Sequence, residues 1–169
     1  MKDAADSSSE HDFGKSILPK MIHEQPVYAY DFHRNRIPVE TGREVEVAYW
    51  RDIGTIEAYF EANLDLKNVA PQLNLYNWHW PIRSVSFNDP PAKFVFDENG
   101  RRGQSIQSAV CAGCILSGAY VKDSVLGRNV FVDEGAEVLA SVVHDNAWIG
   151  RGARVRRAII DKNNRIEPG

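Results

Sequence analysis

VKDSVLGRNVFVDEGAE (121–137), VLASVVHDNAWIGRGAR (138–154) and VRRAIIDKNNRIEPG (155–169) align position for position. Val121, Val138 and Val155 begin them, 17 residues apart, and the same step joins Leu126, Val143 and Ile160, then Val132, Ile149 and Ile166. Asparagine recurs at 129, 146 and 163, and glycine at 135, 152 and 169. Within one period the aliphatic residues are spaced by 5, 6 and 6, with a small residue (Ser124, Ser141, Ala158) three positions after the first. An aliphatic near every sixth position, with a turn-forming residue midway, predicts short strands folded into a triangular turn. Stacked turns bury a continuous core that no single turn has alone. The glycines leave no 3.6-residue apolar stripe, and Val and Ile favour strands. The expected fold is therefore mainly β, a left-handed parallel β-helix over 104–169. An ordinary sheet of short strands would not hold five columns in one register.

That register makes Val121, Leu126, Val132, Val138, Val143, Ile149, Val155, Ile160 and Ile166 the inward residues. Alternation turns their predecessors outward. Val125, Val142 and Ile159 form one outer apolar stripe, and Phe131 and Trp148 form another, which Arg165 continues. One stripe is expected to pack on residues 1–103, beneath a connector at Trp78–Ile82. The other is expected to meet a further core or a neighbouring subunit.

Hydrophobic residues make up 43% of the 169 and charged residues 25%, as in an ordinary soluble domain. No apolar run approaches a membrane span. The opening MKDAADSSSEHD is polar and acidic, without a secretory signal, so a cytoplasmic location is expected. A net charge of −3 argues against a nucleic-acid partner. Cys111 and Cys114 form a CxxC, but neither a second CxxC nor a His pair completes a zinc site, so the pair reads as small residues at a β-helix turn. Six basic residues crowd 151–165 against one acid, Asp161. They suit either a phosphate group or a solvated face.

Before the coil, Asp12 is placed to cap a helix over 13–21 that Pro19 shortens or kinks. Strands are expected over 27–32 and 44–50, and a helix opening at Gly54 or Thr55 with Ile56, Tyr59, Phe60, Asn63 and Leu64 on its apolar face. Residues 81–103 read as a connector, with a short strand at Lys93–Phe96 and a turn at Glu98-Asn99-Gly100. Asp52 follows a strand and precedes a glycine and a helix. In α/β domains that is where ligands bind, and a carboxylate there suits Mg²⁺ beside a phosphate; it equally suits a helix N-terminus.

SSSEHDFGKSILPKM (7–21), YWRDIGTIEAYFEANLDL (49–66), NWHWPIRS (77–84), PPAKFVFDENGRRG (90–103), CAGCILSGAYVKDSVL (111–126) and RVRRAIIDKNNRIEPG (154–169) together resemble the bacterial glucose-1-phosphate adenylyltransferases (ADP-glucose pyrophosphorylases). The resemblance covers nearly the whole chain except the loop near 34–44. It implies that residues 1–80 are the C-terminal remnant of an α/β nucleotidyltransferase domain. It also implies a reaction in which ATP and glucose 1-phosphate give ADP-glucose and pyrophosphate with Mg²⁺, for glycogen synthesis. Asp52 matches one of the family's two metal-binding aspartates, and Trp50 matches a tryptophan lining the sugar-phosphate side. The family's glycine-rich triphosphate loop and second aspartate have no counterpart here, so the chain reads as a fragment, inactive alone. The β-helix implies assembly into a homotetramer and control by phosphorylated effectors. Lys162 falls where members often carry an arginine in the AMP pocket, with Arg156 and Arg157 beside it. Two other readings are a stand-alone binding module and a hexapeptide acyltransferase, in which His144 would be the coil's histidine base.

Overall fold

A turn of the coil closes because each of its corners contains one residue in the left-handed region. Asp123, Ala140 and Arg157 adopt it at the first corner, with φ of 52°, 45° and 48°. Asn129, Asn146 and Asn163 adopt it at the second, and Gly118, Gly135 and Gly152 at the third. Asparagine and glycine tolerate this conformation best, which is why these columns repeat in the sequence. The computed structural model describes residues 3–39 and 46–169. Within it the chain divides into two units, 1–36 and 37–169.

In the first unit, Asp12 accepts a hydrogen bond from the Lys15 amide at 2.8 Å and caps a wide, π-helical turn, Phe13–Ile17. The α-helix proper, α1 (Leu18–Glu24), follows with Pro19 in its first turn, where the missing N–H costs nothing. The helix therefore extends beyond Met21 instead of ending there. The strand expected over 27–32 is absent. Phe32–Arg34 forms a 3₁₀ turn capped by Asp31. Among the described residues this aromatic-rich stretch has no neighbouring strand to complete a ladder.

In the second unit, the strand expected over 44–50 is only two residues long within the described residues: β2 (Glu46–Val47) pairs with β1 (Arg36–Ile37). Residues 44 and 45 lie outside the described residues. Thr55 caps α2 (Ile56–Asp65), accepting from the Ala58 amide at 3.1 Å. β3 (Lys93–Val95) then leads through a turn in which Asp97 accepts from the amides of Asn99 and Arg101.

Four triangular turns follow. The first is β4 (Gln104–Ile106), β5 (Ala109–Val110) and β6 (Ile115–Ser117); the second is β7 (Tyr120–Lys122), β8 (Val125–Leu126) and β9 (Phe131–Val132). The third is β10 (Glu137–Leu139), β11 (Val142–Val143) and β12 (Trp148–Ile149); the fourth is β13 (Arg154–Arg156), β14 (Ile159–Ile160) and β15 (Arg165–Ile166). Like strands stack into three parallel sheets, and β3 pairs with β6 at the end of one of them. The parallel β-helix expected from the repeat is the fold the chain adopts.

The register is Val121 on Val138 on Val155, a step of 17, but Ser105 on Val121 is a step of 16. The inward set is Val121, Leu126, Val132, Val138, Val143, Ile149 and Val155, all buried, with Ile160 and Ile166 partly buried at the last turn. Leu116, stacked on Val132, alanines 119, 136 and 153 and the column Cys114, Val130 and Ala147 complete this core. A serine ladder runs through the first corner. Ser124 Oγ donates to the Lys122 carbonyl at 2.7 Å and accepts from the Ser141 amide at 3.1 Å. Ser108 and Ser141 repeat the pattern one turn to either side. Along the second corner the asparagine side chains join, Asn129 to Asn146 at 3.3 Å and Asn146 to Asn163 at 3.1 Å.

Ser105 takes the inward place of the valine column, and among the described residues its Oγ is buried without a partner. Ser105→Val should raise unfolding stability by about 1 kcal/mol, since a buried hydroxyl without a hydrogen bond costs that or more. Val138→Ala, which opens a cavity mid-stack, should lower it by about 2–4 kcal/mol. Urea denaturation of the two variants checks both signs.

Candidate functional site

Tyr49 to Thr55 form a turn that leads into α2. Asp52 is exposed, and its Oδ1 accepts from the Gly54 amide at 2.9 Å. Thr55, not Asp52, caps the helix. A Cβ on Gly54 would sit 3.1 Å from the same Asp52 oxygen, so glycine keeps this turn tight. The carboxylate is thus oriented by one local hydrogen bond while remaining open to solvent. Trp50 is 76% exposed. Arg51 folds the other way, 3.6 Å from Glu61 on α2.

α2 lies on the coil. Val142 points outward from β11 and is nevertheless only 1% exposed, because α2 packs over it. One stripe therefore packs on residues 1–103 as expected, but the element that covers it is α2 and not the Trp78–Ile82 connector. Trp78, at 88% exposure, and Ile82 both stand in the open. A helix with its own apolar face buries more against a sheet than an irregular segment does. The second stripe is half-buried, and Arg165 lies over the Trp148 ring at 3.9 Å.

Polar contacts fix both ends of α2. Tyr59 Oη and His144 Nε2 are 3.0 Å apart, and just past the helix Lys67 Nζ donates to Asp123 Oδ1 at 3.2 Å. Between α2 and the first corner lies an open groove of about 500 Å³, lined by Arg51, Leu64, Lys67, Gln72, Asp123 and Ala140 among others. His144 is therefore engaged by a helix, which tells against its serving as an acyltransferase base.

A second fixture holds the segment before β3. Asp89 accepts a forked pair of hydrogen bonds from Arg128, whose amide donates to Asp145 at 2.8 Å and whose guanidinium lies 3.3 Å over the Phe87 ring. The pairings Tyr59–His144, Lys67–Asp123 and Asp89–Arg128 were not legible in the sequence, because each joins residues 39 or more apart, one of them outside the repeat. Arg128's hydrogen bonds hold the Asp89 carboxyl below the ordinary carboxylate range, with partial desolvation opposing. A depressed folded-state value means stabilisation present above the unfolded value and lost as pH falls through the folded one. The stability gap between the wild type and Asp89→Asn, measured in urea, should therefore shrink below about pH 4.

The basic cluster does not converge. Arg154 and Arg156 both face Glu137, Arg151 faces Glu134, and Arg165 faces Glu167. Arg157 and Lys162 lie near opposite ends of β14. The two cysteines also separate. Cys114 is buried, donates to the Gly127 carbonyl at 2.9 Å, and burial pushes its thiol up to about 11. Cys111 is exposed, though partial burial raises its thiol too. Under native conditions a thiol reagent should label Cys111 alone and slowly, with Cys114 reacting only after denaturation. Native labelling of both would contradict this. Among the described residues no group of three or more His, Cys, Asp or Glu side chains converges as for a metal, and no helix is long and apolar enough to cross a membrane.

The nucleotidyl transferase family model matches residues 1–69, and the model described as GlmU-like, C-terminal hexapeptide matches 90–169. All 169 residues align at 46% identity with a glucose-1-phosphate adenylyltransferase of Nitrosospira multiformis, covering 39% of that protein. Along its whole length the chain is similar to the glucose-1-phosphate adenylyltransferases. The protein of that name from Anaeromyxobacter dehalogenans is 50% identical over 138 residues, 80% of this chain and 33% of the relative. That from Geobacter metallireducens is 53% identical over 117 residues, 69% and 28% respectively. The chain thus spans roughly a third of the length of these curated relatives.

Proposed function

We propose that this chain forms part of an enzyme that makes ADP-glucose and pyrophosphate from ATP and glucose 1-phosphate. The observation that carries this reading is the Asp52 turn: an exposed carboxylate fixed by Gly54, at the foot of a capped helix, in a chain whose relatives bear that enzyme's name. Carboxylate oxygen is the donor that Mg²⁺ prefers, so Asp52 fits as one of its ligands. When bound, the ion would neutralise phosphate charge during an in-line transfer. Asp52 would hold it, Gly54 would keep the carboxylate oriented, and Trp50 would line the sugar-phosphate side. Since no further carboxylates converge with Asp52 among the described residues, the 169-residue polypeptide by itself is expected to be inactive.

The β-helix supports two further parts of this reading. Arg156, Arg157 and Lys162 do not converge in the free chain, so a phosphorylated effector would have to draw them together, taking Arg156 from Glu137. The coil also suits assembly with further copies into a tetramer. A cytoplasmic location fits soluble, phosphorylated substrates.

The test grafts residues 1–169 onto the Nitrosospira multiformis enzyme in place of the segment they match. That chimera should release pyrophosphate from ATP and glucose 1-phosphate. Asp52→Asn should lower its turnover about a hundredfold or more, the scale of losing an electrostatic group at a reacting phosphate. Near-parental turnover in that variant would return Asp52 to a purely structural role.

A further inference from the structure

The Asp52 turn has little of its own to hold it. Trp50, Asp52 and Ile53 are exposed, and the Gly54 amide is the one hydrogen bond given to the carboxylate. Its position is therefore that of α2, whose first residue is four after Asp52. α2 in turn has an exposed first turn, with Ile56 74% exposed. The first point at which a side chain of α2 meets the coil by a hydrogen bond is Tyr59, on His144. The rings lie 6.0 Å apart, tilted by 35°, and the contact is partly buried. Three residues lie between Thr55, which caps the helix, and Tyr59, and the Tyr59 amide bonds the Thr55 carbonyl at 2.9 Å. Movement of Tyr59 is thus transmitted through one helical turn to the residues that carry Asp52.

We propose that His144 is a positioning residue: through Tyr59 it anchors the start of α2 to the third turn of the coil and so fixes the Asp52 turn. The Lys67–Asp123 pair secures the opposite end of the helix and cannot substitute, since it lies 15 residues from Asp52. The coil's histidine acts here on geometry, not on a proton in flight. Either imidazole tautomer serves, because Tyr59 Oη both donates and accepts. This gives the otherwise unlike column Cys111, Gly127, His144 and Asp161 one member with a task, at the turn over which α2 passes.

The inference rests on the reading of Asp52 as a metal ligand only for its functional consequence; the anchoring is tested without activity. Amide hydrogen exchange is measured by mass spectrometry on the 169-residue protein and on Tyr59→Phe, His144→Ala and His144→Gln. Tyr59→Phe removes one oxygen and leaves the helix packing, so it reports even if His144→Ala unfolds. Exchange over residues 50–60 should rise about fivefold in Tyr59→Phe and His144→Ala, the factor one net hydrogen bond carries. Exchange in the third turn should not change, and His144→Gln, which keeps a hydrogen-bonding group, should restore most of the protection. Unchanged exchange over 50–60 in Tyr59→Phe would overturn the proposal, and so would equal acceleration through the coil or failure of glutamine to rescue. If exchange behaves as expected while Asp52→Asn stays active in the chimera, the anchor stands and the metal reading falls.

Discussion

Stacking of like corners is the constraint on which this molecule depends. A single 17-residue turn buries almost nothing; its aliphatic residues become a core only when the next turn places the same residues directly above them. Two hydrogen-bonded ladders enforce that alignment. In the serine ladder each Oγ serves two masters, a carbonyl of its own turn and the amide of the next, so a slip by one residue would leave both buried and unpaired. The asparagine ladder does the same on the surface, while permitting the positive φ its corner demands. Backbone curvature, register and core are thereby set by the same few columns.

From this rigid prism follows the placement of α2 and of the segment before β3. The outward residues of the coil form regular stripes because the inward ones do. α2 lies on the stripe containing Val142, and its first polar anchor on the coil is His144, the residue after Val143 of that inward column. The segment before β3 is tied by Asp89 to Arg128, next to the asparagine ladder. The groove beside α2 is bounded by the first corner, where Asp123 and Ala140 adopt their left-handed conformation. Chemistry carried by the Asp52 turn thus depends on a scaffold that reaches it through α2.

The coil was legible in the sequence because its physics is periodic: one missing column would have broken the pattern. The register of its first turn was not, since the corner between β6 and β7 is one residue shorter and a step of 17 back from Val121 lands on Gln104 instead of Ser105. The alanine column was passed over because alanine signals little about burial on its own. Residues 27–32 misled because aromatic and β-branched residues suit a strand but say nothing about whether a partner exists. The site was legible only in part. Asp52 stood out by its position between strand and helix, but Tyr59, His144, Lys67 and Asp89 find their partners across 39 residues or more, beyond the reach of spacing. The basic cluster read as a possible phosphate site because sequence counts charges without seeing that Glu134 and Glu137 face several of them from the turn before.

The account's central claim is that stacked turns hold one register and that α2 is seated on their outer stripe. One methyl-resolved nuclear Overhauser spectrum of the selectively labelled protein tests both parts. It should connect the methyls of Val121 to Val138 and Val138 to Val155, join Val110 to Leu126 across the shorter first step, and link Val142 to protons of residues 56–65. Cross-peaks at a different spacing, or a Val142 methyl that sees only its own coil, would contradict it.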